Sequence, residues 1–224
     1  MYESVVFDVD GVLLRPHADH PDVYRDAVVT AFQSFDVTPP ASDVEAFFGG
    51  SNKSLDGMRQ VCERHGVDFE SFWPERERES AALQQRMMER RERDLYDDCT
   101  VVSTLAETHD LGLVSNNQHA TVEFMIDHFG LVDHFETAYG RRPTIEGYRR
   151  TKPDAHYIER ALADLGTRSA LYVGDSASDV VAAHRAGLDS AFVWRDHRSD
   201  YELSEKPTHE IDRLTELADL VADR

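Results

Sequence analysis

Val5-Val6-Phe7-Asp8-Val9-Asp10-Gly11-Val12 stands almost at the N-terminus, and its reading decides how the rest of the chain is read. The β-branched and aromatic opening predicts a buried strand, and the Asp-Gly pair behind it predicts the turn that ends that strand. Two carboxylates two residues apart at a strand end sit at the sheet edge where open α/β proteins bind ligands.

Farther along, the same pattern recurs. Leu111-Gly112-Leu113-Val114 predicts a strand ending in Ser115-Asn116-Asn117, and Ala170-Leu171-Tyr172-Val173 predicts one ending in Gly174-Asp175. Phe135 to Tyr139 and Ser190 to Trp194 predict two more. Between them, Val122, Met125, Ile126 and Phe129 predict a helix closed by Gly130. Ile158, Ala161, Leu162 and Leu165 predict one with Pro153 in its first turn and Gly166 at its end. Val180, Val181 and Ala183 predict another, closed by Gly187, and Ile211, Leu214, Leu217, Ala218 and Val221 predict a closing amphipathic helix. Strands alternating with helices imply an α/β fold with a doubly wound, Rossmann-like parallel sheet.

Residues 15–96 interrupt that alternation. Tyr24, Ala27, Val28, Ala31, Phe32 and Phe35 predict a helix from about Asp22, ended by Thr38-Pro39-Pro40. Phe47-Phe48-Gly49-Gly50-Ser51-Asn52 reads as a turn, and Leu55, Met58, Val61 and Cys62 as a helix closed by Gly66. Glu and Arg interleave from Glu75 to Asp94, which predicts a solvated helix face laced with i,i+3 and i,i+4 ion pairs. The expected organisation is an α/β core of residues 1–14 and 97–224 carrying an all-helical cap of residues 15–96.

The 224 residues hold 41% hydrophobic residues, enough for a packed core, and 24 Lys plus Arg against 43 Asp plus Glu, a net charge of -19. That balance argues against nucleic acid or an anionic membrane as partner, since both reward positive charge. The only lysines are Lys53, Lys152 and Lys206. An acidic, lysine-poor surface suits a halophilic protein; an ordinary acidic cytosolic protein is the alternative. Cys62 and Cys99 form no disulfide framework and no metal-ligand spacing, so both are read as core residues of a reducing compartment. No apolar run is long enough to span a membrane, and the first strand leaves no room for a signal peptide, so a cytoplasmic location is expected.

In a parallel sheet the C-terminal strand ends share one edge, so Asp8, Asp10, Ser115, Asn116 and Asp175 can converge. Carboxylates sharing a site need a cation, and an oxygen-rich ligand set suits Mg²⁺. Lys152, ahead of a helix, would add a positive charge. A cation and an ammonium around a carboxylate suit phosphoryl transfer to that carboxylate.

Four motifs in order give this chain a resemblance to the haloacid dehalogenase superfamily, in its phosphatase branch with a small helical cap. Asp8-Val9-Asp10-Gly11-Val12 resembles the first motif, Ser115-Asn116 the second, Lys152-Pro153 the third and Gly174-Asp175-Ser176-Ala177-Ser178-Asp179 the fourth. The resemblance implies a Mg²⁺-dependent phosphatase of a small phosphorylated metabolite, acting as monomer or homodimer. It implies Asp8 as the nucleophile that becomes phospho-aspartate and Asp10 as general acid and then base. Ser115 and the backbone near Asn116 would hold phosphate, and Lys152 would bridge nucleophile and phosphate. Asp8, the Val9 backbone carbonyl and Asp175 would bind the metal, with Asp179 in support. Ser115 can also be a helix N-cap, and Asp179 can be simply favourable charge in a helix's first turn. Dehalogenases of the superfamily lack the second Asp, so Asp10 argues for a C–O–P bond.

Substrate choice would fall to the cap. Lys53, in the turn Gly49 to Lys53, is a candidate for a substrate carboxylate or hydroxyl, or else a solvent-exposed lysine. His20 stands twelve residues after Asp8, as in β-phosphoglucomutase, and is otherwise a surface or capping histidine. These two residues motivate a phosphosugar mutase as the alternative function. A non-catalytic phospho-acceptor module is a third reading, which needs neither a second Asp nor a cap.

Overall fold

The computed structural model describes residues 2–16, 23–48 and 55–222. Among them, six strands form one sheet: β1 (Ser4–Phe7), β2 (Asp110–Gln118), β3 (Thr137–Arg141), β4 (Ala170–Gly174), β5 (Asp189–Val193) and β6 (His209–Ile211). Their order is β3-β2-β1-β4-β5-β6, and every neighbouring pair is parallel. Central β1 is buried throughout, with Ser4 to Phe7 paired to Asp110 to Leu113 on one side and Ala170 to Val173 on the other. Strands covered on both faces read as continuous apolar runs, which is why Val5-Val6-Phe7 and Leu171-Tyr172-Val173 show no polar alternation. The strand order reverses between β1 and β4, and the crevice outside such a reversal is where open α/β sheets bind ligands.

Successive side chains of β1 divide between two cores. Val5 and Phe7 pack with Leu111, Leu113, Leu171 and Val173 on one face, against α5 (Val101–Ala106), α6 (His119–His128) and α10 (Leu217–Ala222). Val6 points the other way, with Tyr172, toward α8 (His156–Leu165) and α9 (Ala177–Arg185). A short helix, α7 (Ile145–Arg149), lies between β3 and α8.

Between β1 and β2 the chain forms α1 (Val23–Gln33), α2 (Ala41–Glu45), α3 (Leu55–Arg64) and α4 (Phe69–Glu89). Their apolar faces gather a third core around Phe32, Phe47, Met58, Val61, Phe72 and Trp73, with the Phe32 and Phe72 rings 4.4 Å apart. Truncating Phe72 to alanine there removes about 3–5 kcal/mol. Asp68 starts α4 by accepting the Ser71 N–H at 2.9 Å. The chain leaves and re-enters the sheet side by side: Arg15 N–H donates to the Asp94 carbonyl (3.0 Å) and Tyr96 N–H to that of Leu13 (2.9 Å).

Several expectations from the sequence need correction. Pro153 lies ahead of α8, not in its first turn: Thr151 to Asp154 close a turn, and Asp154 Oδ1 then accepts the His156 N–H at 2.8 Å. Ile211 belongs to β6, because the open edge of β5 pairs Val193 with it; Leu214 sits in a 3₁₀ turn and the closing helix is α10. The stretch from Glu75 to Asp94 is only partly a solvated face. Arg78 and Glu75 pair there at 2.5 Å, but Arg76, Glu77, Gln84 and Arg93 are buried against the sheet edge. Cys62 and Cys99 are buried and free, as expected. Among the described residues no helix is long and apolar enough to cross a membrane.

Candidate active site

Asp8 follows β1, Asp175 follows β4 and Asp179 stands in the first turn of α9, so three buried carboxylates meet beside the strand-order reversal. One oxygen from each lies within 4.8 Å of the others. Two glycines permit this approach. A Cβ on Gly174 would lie 2.2 Å from the Asp179 Cβ, and one on Gly11, whose φ is +82°, would lie 2.2 Å from Asp175 Oδ2.

Lys152 reaches the cluster from the turn before α8. Asn116 holds its backbone, accepting the Lys152 N–H at 2.7 Å and donating to its carbonyl at 3.1 Å. The Nζ lies 2.7 Å from Asp8 Oδ1 and 2.6 Å from Asp179 Oδ1, and donates to Tyr172 Oη (2.8 Å) and the Val114 carbonyl (3.1 Å). Burial works against the charge on Lys152, but Asp179 and Asp8 outweigh it and hold the ammonium well above its usual range. Burial also pushes the Asp8 carboxyl well above its ordinary value; Lys152 opposes this, while Asp179, Asp175 and Asp10 reinforce it. The three acids outnumber the cations that face them, the Lys152 ammonium and the Arg198 guanidinium beside Asp175, and leave the cluster short of positive charge.

That shortage, in an all-oxygen donor set, is what a hard divalent cation fits. Mg²⁺ therefore suits these residues, with Asp8 and Asp175 placed to hold it. Asp179, the third acid of the group, has further partners. Its Oδ1 faces Lys152, and its Oδ2 accepts from Ser176 N (3.0 Å) and Oγ (2.6 Å) in the capping box of α9. Asp175 Oδ2 also lies 2.8 Å from His197 Nε2 and accepts from Arg198 Nε at 2.9 Å. The Val9 carbonyl does not match the role expected of it. It accepts the N–H groups of Val12 (3.3 Å), Leu13 (3.0 Å) and Leu14 (2.9 Å), which turns it into the loop and away from a ligand.

Asp10 stands at the wall of a cavity of about 530 Å³ between the sheet edge and the inserted helices. Its carboxylate pairs with Arg93 and accepts from Asn117 Nδ2 at 3.0 Å, with Ser115 Oγ 3.4 Å away. Ser115 is buried, accepts the Asn117 N–H at 3.1 Å, and is not the cap of α6, whose N-cap is Gln118. Gln84 ties this group to α4, accepting from Arg93 (2.8 Å) and from Asn117 (2.6 Å). Lys152, Asn116, Arg76, Arg141, Tyr24, Phe47 and Phe48 also line the cavity. Burial, with Asp10 nearby, pushes the Tyr24 phenol up to about 12, so that hydroxyl stays protonated. His20 and Lys53 lie outside the described residues.

Arg76, Arg93, Asn117, Arg141, His197 and Arg198 are additional to the residues singled out from sequence. Arg141 closes β3 on the same edge as the acids, so the strand-end rule that points to Asp8 applies to it as well. Arg93 and Arg76 carry no such signal, because a buried arginine in a charge-rich stretch has the same spacing as an exposed one.

A family model described as haloacid dehalogenase-like hydrolase matches residues 5–193. A phosphoglycolate phosphatase of Cereibacter sphaeroides is 28% identical over 204 residues, covering 87% of this chain and 86% of that protein. Among solved structures, CbbY from Rhodobacter sphaeroides in complex with phosphate aligns with a TM-score of 0.67 at 18% identity, covering 97% of this chain and 96% of that one. A 2-haloacid dehalogenase from Pseudomonas syringae pv. Tomato aligns with a TM-score of 0.66 at 19% identity over 99% of each chain. The chain belongs to the haloacid dehalogenase-like hydrolases and is a phosphatase of that family.

Proposed function

We propose that this protein is a Mg²⁺-dependent phosphatase of a small phosphorylated metabolite, acting through a phospho-aspartyl intermediate on Asp8. The observation that carries the reading is the convergence of Asp8, Lys152 and Asp175 at the strand-order reversal, with Asp10 beside them on the cavity wall. The phosphoglycolate phosphatase relative supports a small phosphate ester as substrate. Bound Mg²⁺ would neutralise phosphate charge as Asp8 approaches.

In the first half-reaction an Asp8 oxygen attacks phosphorus, the phosphorus–ester oxygen bond breaks, and Asp10 gives its proton to the leaving alcohol. In the second, Asp10 takes a proton from water, the new oxygen bonds to phosphorus, and the acyl-phosphate bond returns its electrons to Asp8. Net, one ester and one water give alcohol and phosphate. Lys152 holds the Asp8 carboxylate in place and offsets phosphate charge. Arg93 and Asn117 fix the direction of the Asp10 carboxyl, and Asp179 orients Lys152. The helices of residues 15–96 act as the cap over this chemistry.

The test is a panel of phosphate esters assayed with Mg²⁺, at low and at molar KCl, on wild type and on Asp8→Asn. Wild type is expected to release phosphate and Asp8→Asn to lose at least about a thousandfold in kcat. Normal turnover by Asp8→Asn would rule out the nucleophile assignment.

A further inference from the structure

Behind one wall of the cavity, a single carboxylate serves two arginines. Glu77, buried to 1% exposure, pairs through Oε1 with Arg76 of its own helix and through Oε2 with Arg141 at the end of β3. Both arginines line the cavity, whereas Glu77 is not part of that wall. The nearby Arg93 is matched by Asp10. Among the described residues, two guanidiniums against one carboxylate leave one positive charge uncompensated, in a chain whose net charge is -19. Buried charge of this kind is costly unless an anion meets it.

Three further features point to a ligand. Arg76 is 7% exposed, and among the described residues its buried Nε has no hydrogen-bond partner. Both guanidiniums lie against aromatic rings, Arg76 at 5.2 Å from the Trp73 centroid and Arg141 at 5.5 Å from that of Tyr148, which limits how they can turn. Arg141 Nε donates to the Asn116 carbonyl at 2.8 Å, and the Asn116 side chain holds the Lys152 backbone. The arginine pair is thus one residue removed from the lysine that faces Asp8.

We propose that Arg76 and Arg141 form a subsite for a carboxylate on the alcohol portion of the substrate, so that the enzyme selects small phosphate monoesters carrying a second, carboxylic acid group. One surplus positive charge matches a monoanionic carboxylate, and a second phosphate dianion would overcharge the subsite. The proposal rests on the phosphatase reading above and adds the substrate class to it.

The test compares 2-phosphoglycolate with 2-hydroxyethyl phosphate, a neutral-tailed ester of the same length, in wild type and in Arg76→Gln. Wild type is expected to show kcat/KM at least about tenfold higher for the carboxylated ester. Arg76→Gln is expected to lose at least about tenfold more on that ester than on the neutral one, chiefly through KM. A wild-type ratio near one, or equal losses on both esters, overturns the subsite. So does a wild type that rejects both esters while hydrolysing p-nitrophenyl phosphate with dependence on Asp8, and that result leaves the phosphatase reading standing. Failure to hydrolyse any phosphate ester with Mg²⁺ overturns both. The wild-type ratio decides the matter even if Arg76→Gln fails to fold, which a thermal melt reveals.

Discussion

Arg93→Met removes a guanidinium and keeps most of the aliphatic stem. Arg93 is 2% exposed and serves three acceptors: the Asp10 carboxylate, Gln84 Oε1 at 2.8 Å and the Arg15 carbonyl at 3.0 Å. Losing one partner of a fully buried ion pair costs about 3–5 kcal/mol. The loss here is smaller, because the Asp10 side chain is 32% exposed and keeps its bond from Asn117. Gln84 also keeps Asn117 as a donor at 2.6 Å. A cost of about 2–3 kcal/mol follows, or roughly 4–12 °C in Tm for a chain of this size. Asp10 loses its orientation, and a positioned proton donor contributes about 10²–10⁴-fold, so kcat is expected to fall about 10- to 100-fold with little change in KM. Circular-dichroism melting and steady-state kinetics with Mg²⁺ read the two effects separately. A lowered Tm with kcat within twofold of wild type would show that Arg93 only holds the fold together. An unchanged Tm would show that the buried network around Gln84 does not form.

Gly11→Ala places a Cβ where Asp175 Oδ2 and, at 3.0 Å, His197 Nε2 already sit, and forces a side chain onto φ +82°. A loss of about 1–3 kcal/mol in stability and weaker Mg²⁺ activation are expected, measured by denaturant titration and by the Mg²⁺ dependence of turnover. Burial pushes the Cys62 and Cys99 thiols up to about 12, so iodoacetamide at pH 8 is expected to label neither until the protein unfolds. The folded state holds those protons more tightly than the unfolded chain does. Their contribution is therefore full below the ordinary thiol value of about 8.5 and is lost as pH rises toward 12, which denaturant titrations at pH 7 and 10 should show as a drop. Chelation with EDTA is expected to abolish phosphate release and to lower Tm, and readdition of Mg²⁺ to about 100 times its Kd should restore about 2.7 kcal/mol.

The parallel sheet and the meeting of Asp8, Asp175 and Lys152 at its edge were legible because strand ends and helix starts are local patterns. Asp8 and Asp175 each end an apolar run, and Lys152 stands just ahead of a helix. What stayed illegible depends on packing between distant segments. Arg76 and Glu77 share the spacing of an exposed charged helix, and the closeness of α4 to the sheet edge buries them, while Arg93, beyond the end of α4, is buried among Asp10, Gln84 and the Arg15 carbonyl. Ile211 and Leu214 mimic a helical stripe, but the free edge of β5 offers a ladder that a helix cannot match. Val9 shows the limit at one residue: alternation places its side chain in the core, at 2% exposure, while the turn after it decides where the carbonyl goes.

The most direct measurement follows phosphorus itself. Wild-type enzyme mixed with substrate and Mg²⁺, quenched in acid within the first turnovers and digested, is read by mass spectrometry. One phosphoryl group is expected on the peptide containing Asp8, absent from Asp8→Asn and discharged when turnover is allowed to finish. Rapid turnover with no phosphoryl group on that peptide, together with an active Asp8→Asn, would contradict covalent catalysis at Asp8.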